Sequence, residues 1–173
     1  TAAPYTITYD SNGGSGMMEP QKITENAALS QNIFTREGYV FHGWNTEADG
    51  TGKSFADGFH VSYGDDITGD TTLYAQWLLK PVAAVTTGPT ARTLIYNGSS
   101  QELVEAGKAS GGTMHYATGT ANEATEPYTT SIPSKTDAGT YYVWYKAIGD
   151  ENHTNTEDAS ITVTISSVEK KEV

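Results

Sequence analysis

The chain has 173 residues, room for one large or two small domains, and carries a formal net charge of −11. So acidic a surface repels phosphate backbones and anionic headgroups, which sets aside nucleic acid and anionic lipid as partners. Cysteine is absent, so neither a disulfide framework nor a cysteine-based zinc site can form, and any core must hold by packing alone.

No apolar run approaches the roughly 18 residues of a membrane span, and Thr1-Ala2-Ala3-Pro4 leads into a strand pattern without a signal-peptide profile. The chain therefore reads as a mature fragment of something longer, with no membrane insertion of its own. Short runs of β-branched and aromatic residues, broken by Gly, Asn and Asp, predict a mainly β protein. Tyr5-Thr6-Ile7-Thr8-Tyr9 alternates, with Tyr5, Ile7 and Tyr9 on one face. Asp10-Ser11-Asn12-Gly13-Gly14-Ser15-Gly16 turns the chain. Residues 21–24 predict a second strand, 25–31 one helical turn, and 39–44 a third strand. A loop of turn formers follows at 45–53, and residues 59–63 and 71–78 close the sheet.

Pro81 and Pro89 bracket a stretch that predicts a semi-extended connector over residues 80–90. The modules are thus expected at 1–79 and 91–166, with 167–173 a tail or linker to a next module. Residues 1–79 set Lys22, Arg36 and Lys53 against ten carboxylates, about −7, and the rest of the chain carries −4. In the second module Leu94 and Tyr96, Met114 and Tyr116, Tyr128 and Ile132, and Ile161, Val163 and Ile165 form alternating pairs. Their recurrence at about ten residues suits a small sandwich.

Two resemblances sharpen these expectations. The run Phe34-Thr35-Arg36-Glu37-Gly38-Tyr39, then Phe41-His42-Gly43-Trp44, Asp49-Gly50, Gly69-Asp70-Thr71-Thr72-Leu73 and Tyr74-Ala75-Gln76-Trp77 resembles the Listeria–Bacteroides repeat of internalin B-type surface proteins. The resemblance covers about residues 4–79 and implies a β-grasp-like fold in an extracellular module without catalysis. Asp137-Ala138-Gly139-Thr140-Tyr141-Tyr142-Val143 resembles the sixth-strand region of immunoglobulin-like sandwiches of bacterial surface proteins. Val143 stands where cysteine is expected, and Tyr141 takes the tyrosine-corner position. Its ring should be buried and its hydroxyl bonded to upstream backbone. The expected fold is therefore mainly β, a β-grasp-like small domain followed by an immunoglobulin-like β-sandwich.

Candidate chemistry is sparse. His42, His60, His115 and His153 have no partners at metal-ligand spacing. Asn45-Thr46-Glu47-Ala48-Asp49-Gly50 meets the first half of a calcium loop, but Ala56 stands where the bidentate glutamate belongs. Asp65, Asp66 and Asp70 could gather only if their loop folds back. The carboxylates lie mostly in turns, where solvation is their ordinary role. No catalytic residue, metal or cofactor is expected. Trp44 and Trp77 fall in the family-like motifs and are expected in the core.

Binding, if any, falls to Tyr142 and Trp144. If Tyr141, Val143 and Tyr145 face the core, then Tyr142, Trp144 and Lys146 face away from it. Such a face could stack on a sugar ring or meet a neighbouring protein. Lys108, Lys146 and Asn155 are also the residue types of the Lys–Asn isopeptide cross-links of some Gram-positive surface sandwiches. The expected role is a non-enzymatic cell-surface unit that extends, presents or adheres, its partner a host or extracellular protein or a glycan. The alternatives are a carbohydrate-binding module or accessory domains of a large secreted glycosidase.

Overall fold

A computed structural model describes residues 2–168, and the chain divides into two compact units, Thr1–Lys80 and Pro81–Val173. All regular elements among the described residues are β-strands. Among the described residues no helix is long and apolar enough to cross a membrane.

The first unit contains β1 (Tyr5–Asp10), β2 (Gln21–Ile23), β3 (Ala27–Ala28), β4 (Tyr39–Asn45), β5 (Ser54–Phe55), β6 (His60–Val61) and β7 (Thr71–Leu79). Five of them form one sheet in the order β2-β1-β7-β4-β5. The first and last strands lie parallel at its middle, Ile7 opposite Thr71 through Asp10 opposite Tyr74. That central parallel pair is the β-grasp-like arrangement. A parallel pair requires a long crossover, and here it contains the β3–β6 ladder.

The helical turn expected over 25–31 is not formed. Ala27 and Ala28 pair with Val61 and His60 instead, and the Leu29 amide donates to the Phe59 carbonyl. Extended backbone sends Leu29 into the core and lets the Ser30 amide donate to the Tyr9 hydroxyl and to Gln21 Oε1. So short a helix, with nucleation unfavourable, offers no comparable set of partners.

The core of this unit is Ile7, Tyr9, Trp44, Ile67 and Leu73, with their buried neighbours. Phe41 and Trp44 are three residues apart, and strict alternation would send them to opposite faces. A β-bulge between Phe41 and Gly43 supplies one extra residue, His42. Both rings then reach the same side, with centroids 5.0 Å apart and planes at 65°. The bulge needs glycine: Gly43 has φ 126°, and a Cβ there would lie 2.8 Å from the Phe55 carbonyl oxygen.

The second unit contains β8 (Ala84–Thr87), β9 (Thr90–Ala91), β10 (Leu94–Ile95), β11 (Gln101–Glu102), β12 (Val104–Glu105), β13 (Lys108–Ser110), β14 (Gly112–Gly119), β15 (Ser134–Lys135), β16 (Gly139–Gly149) and β17 (Ala159–Ser166). The main sheet has the order β10-β17-β16-β14, and three short ladders pair β8 with β13, β9 with β12 and β11 with β15. Met114, Tyr116, Val143, Val163 and Ile165 from the sheet meet Val104 of β12 and the preceding Leu103 in one core. The organisation is sandwich-like.

Three expectations change here. The stretch predicted as a connector carries β8 and the start of β9. Ala83 is buried, its amide donates to the Thr154 carbonyl, and Val85 packs on the core. Pro81 and Pro89 only bound this strand, a place where proline costs no ladder bond. Residues 128–132 form no strand; Thr129 makes one isolated bridge to Tyr116, and Pro127 and Pro133 limit further pairing. Tyr141 donates its hydroxyl to the Asp137 carbonyl at 2.8 Å, but its ring is half-buried, packed on the margin of the core. Val143, in the place of a cysteine, is wholly buried. Of the predicted tail, residues 169–173 lie outside the described residues.

Candidate functional site

The motif residues of the first unit hold its turns together. Asn12 has φ 46°, the left-handed region that asparagine tolerates. Its Nδ2 donates to the Ala48 carbonyl at 2.8 Å and the Ala75 carbonyl at 2.9 Å, pinning the loop after β1 to the β4–β5 connection and to β7. Ser11 accepts at its carbonyl from Trp77 Nε1 at 2.9 Å. Gly14 sits under the Trp77 ring, where a Cβ would come within 2.7 Å. The Arg36 guanidinium lies 4.0 Å from the centre of the Tyr39 ring. Trp44 is wholly buried, and Trp77 packs partly buried against the same core.

The calcium-like loop has a different organiser. Asn45 is 1% exposed. Its Nδ2 donates to the Gly50 carbonyl, the Gly52 carbonyl and Ser54 Oγ, and its Oδ1 accepts from the Glu47 and Gly52 amides. One neutral amide thus gathers loop carbonyls, as a cation would, and backbone amides, which a cation could not. Asp49 is engaged by Thr51 through amide and hydroxyl, which holds its carboxyl below the usual carboxylate range. Asp66 and Asp70, which could gather only if their loop folded back, take separate roles. Asp66 pairs with Lys53 at 2.6 Å and accepts from the Ser62 amide, and Asp70 accepts from the Thr6 amide.

The histidines do not converge. His42 and His60 are exposed. His115 Nδ1 meets the Thr113 carbonyl, and His153 Nδ1 lies 2.6 Å from Asp150 Oδ1. Among the described residues no three His, Asp or Glu side chains form a metal cage. Two clefts of the second unit, about 370 Å³ and 160 Å³, hold at most one carboxylate, Glu126 in the smaller.

Tyr142 and Trp144 lie on β16, the face of the main sheet turned from the core that Val143, Tyr141 and Tyr145 pack against. Both are half-buried. Their cross-strand neighbours are small: Gly119 and Thr162 flank Tyr142, and Ala117 and Ser160 flank Trp144. No bulky cross-strand side chain therefore overlies either ring. Trp144 Nε1 donates to the Thr120 carbonyl at 2.9 Å, which fixes the indole plane. Two residues further along the strand, Lys146 pairs with Asp158 at 3.0 Å and places its ammonium 4.1 Å from the centre of the Tyr128 ring.

Lys146 holds the Asp158 carboxyl below its usual range. Burial, then the neighbouring carboxylate, pushes the Tyr128 phenol well above its own. The Tyr128 hydroxyl closes no hydrogen bond of normal geometry. At neutral pH the face thus presents two planar rings beside one ammonium and one carboxylate. Sequence spacing alone places Tyr142, Trp144 and Lys146 together. Asp158 and Tyr128 join them only through the strand register and a loop, and no sequence signal marks them.

The isopeptide arrangement is not assembled around these groups. Lys146 faces an ionised Asp158, Lys108 is exposed, and Asn155 Oδ1 accepts from the Gly149 amide.

Comparison with known proteins bears mostly on the first unit and reaches into the second. The Listeria-Bacteroides repeat domain matches residues 5–76. A protein of Evansella cellulosilytica with a provisional description as a membrane protein is 31% identical over 126 residues. That alignment covers 70% of this chain and 17% of the relative, so the chain spans about a sixth of that protein's length.

Proposed function

We propose, from the match of residues 5–76 to the Listeria–Bacteroides repeat domain, that this chain is a non-enzymatic extracellular module of a bacterial surface protein, acting to present and adhere. The family match is the observation that carries the reading. Both units agree with it in construction. Each has its own buried apolar core, and the motif side chains of the first serve its turns and core. A module of this kind contributes reach and spacing to the protein that contains it. The membrane-protein description of the Evansella relative supports display at a cell surface. Fold and family alone do not define a ligand.

A second reading has one specific observation in its favour. Tyr142 and Trp144 form an outward aromatic pair with no bulky cross-strand neighbour, beside the Lys146–Asp158 pair. Aromatic faces with a few fixed polar groups are the chemistry that binds sugar rings. A screen of the intact chain against immobilised glycans and extracellular-matrix proteins tests both readings, with Tyr142→Ala and Trp144→Phe run in parallel. Glycan binding that Tyr142→Ala abolishes and Trp144→Phe weakens assigns the face as a carbohydrate site. Protein binding that both variants retain supports adhesion through another surface. Silence across the panel leaves presentation as the role and removes adhesion from the reading.

A further inference from the structure

Two Asn-Gly dipeptides occur in the chain, Asn12-Gly13 and Asn97-Gly98, and the fold treats them in opposite ways. Glycine has no Cβ to hinder its own amide nitrogen, so this dipeptide is where an asparagine side chain is most readily attacked by the backbone. At Asn12 the side-chain amide is tied down. Nδ2 donates to the carbonyls of Ala48 and Ala75, the Asn12 amide donates to Asp10 Oδ1, and the Gly14 amide closes the turn onto the Ser11 carbonyl at 2.9 Å. Bringing Asn12 Cγ to the Gly13 nitrogen would require both side-chain bonds to break.

Asn97 has none of these restraints. It and Gly98 are exposed, in the connection between β10 and β11. Asn97 Oδ1 accepts from the Ser99 amide at 2.9 Å, and among the described residues its Nδ2 donates to no protein group. That one bond polarises the side-chain carbonyl toward attack while leaving the nitrogen that must depart unheld.

We propose that Asn97 is a site of spontaneous deamidation, and that the fold protects Asn12 from the same reaction. The Gly98 amide nitrogen, having lost its proton, adds to Asn97 Cγ and closes a five-membered succinimide. The Cγ–Nδ2 bond breaks, and Nδ2 takes up a proton and leaves as ammonia. Water then opens the ring at either carbonyl, giving aspartate or isoaspartate. The net exchange is one ammonia out and one water in, with no oxidant, reductant or cofactor. The product adds one negative charge, and in the isoaspartyl form one backbone carbon, to a loop whose base is spanned by the bond from Gln101 Nε2 to the Ile95 carbonyl. No residue of the second core lies within it. The step is one-way, so the molecule gains an age-dependent charge without loss of fold.

The test is peptide mapping of the intact folded chain held at mildly alkaline pH. Tryptic peptides 93–108 and 1–22 each contain a single asparagine, Asn97 and Asn12. In the folded protein 93–108 should gain one mass unit, as a mixture of aspartyl and isoaspartyl forms, about tenfold or more faster than 1–22, given the two bonds that hold Asn12. The rate should rise with hydroxide, and Asn97→Gln should abolish the gain. In denaturant the two peptides should converge. Equal rates in the folded protein, no gain at Asn97, or the same disparity after unfolding would each overturn the proposal.

Discussion

Gly43 shows how one residue without a side chain decides where three rings go. Its φ of 126° is open to glycine and strained for any other residue, and the Phe55 carbonyl oxygen fills the place of a Cβ. Gly43→Ala should therefore destabilise the first unit by about 1–3 kcal/mol through backbone strain, before any loss of packing between Phe41, Trp44 and Trp77. Denaturant unfolding followed by tryptophan emission measures it; an unchanged midpoint would mean the bulge relaxes without cost. Phe41-His42-Gly43-Trp44 was legible as a family landmark. That its glycine makes a bulge was not, because the carbonyl it must avoid belongs to a strand more than ten residues on.

At the scale of elements, strands read well and their short partners did not. β1, β7 and β17 carry alternation over six or more residues, enough for the pattern to stand out, and β4 stood out by its motif. β3 and β8 are two and four residues long, and only pairing with distant segments makes them strands. The turn between β6 and β7 is held by charge. Asp66 bonds Lys53 and the Ser62 amide, and Lys53, foremost, holds its carboxyl below the usual range. For a carboxyl lowered in the folded state, the stability it contributes is complete above the unfolded value of about 3.9 and is lost as pH falls through the lowered folded value. Unfolding midpoints should therefore decline below about pH 4, and Asp66→Asn should flatten part of that decline. An identical pH profile in the variant would show that the pair contributes nothing.

Across the whole molecule, the two cores draw on separate stretches of chain, residues 5–77 and 85–165. Leu73→Ala should cost the first unit about 2–5 kcal/mol, and Val143→Ala should weaken the second through the cavity it leaves. Calorimetry should show each deletion lowering the transition of the unit that holds it. If either deletion moved both transitions equally, the units would not be separate folding units. The binding face repeats the pattern of partial legibility. Alternation along β16 is a local property of one strand, so Tyr142, Trp144 and Lys146 could be grouped from the sequence. Asp158 and Tyr128 reach Lys146 only through register and loop path. By itself the sequence determined a mainly β chain, its family-like first module and its longest strands, because side-chain alternation and turn chemistry act between residues close along the chain. Only the tertiary structure decided that Asn45 organises the calcium-like loop, that Val85 joins the second core, and that the side-chain nitrogen of Asn12 is held while that of Asn97 is not. Asn12 and Val85 depend on groups brought from far along the chain, Asn45 on the path its own loop takes, and burial and hydrogen-bond partners exist only once those groups have met.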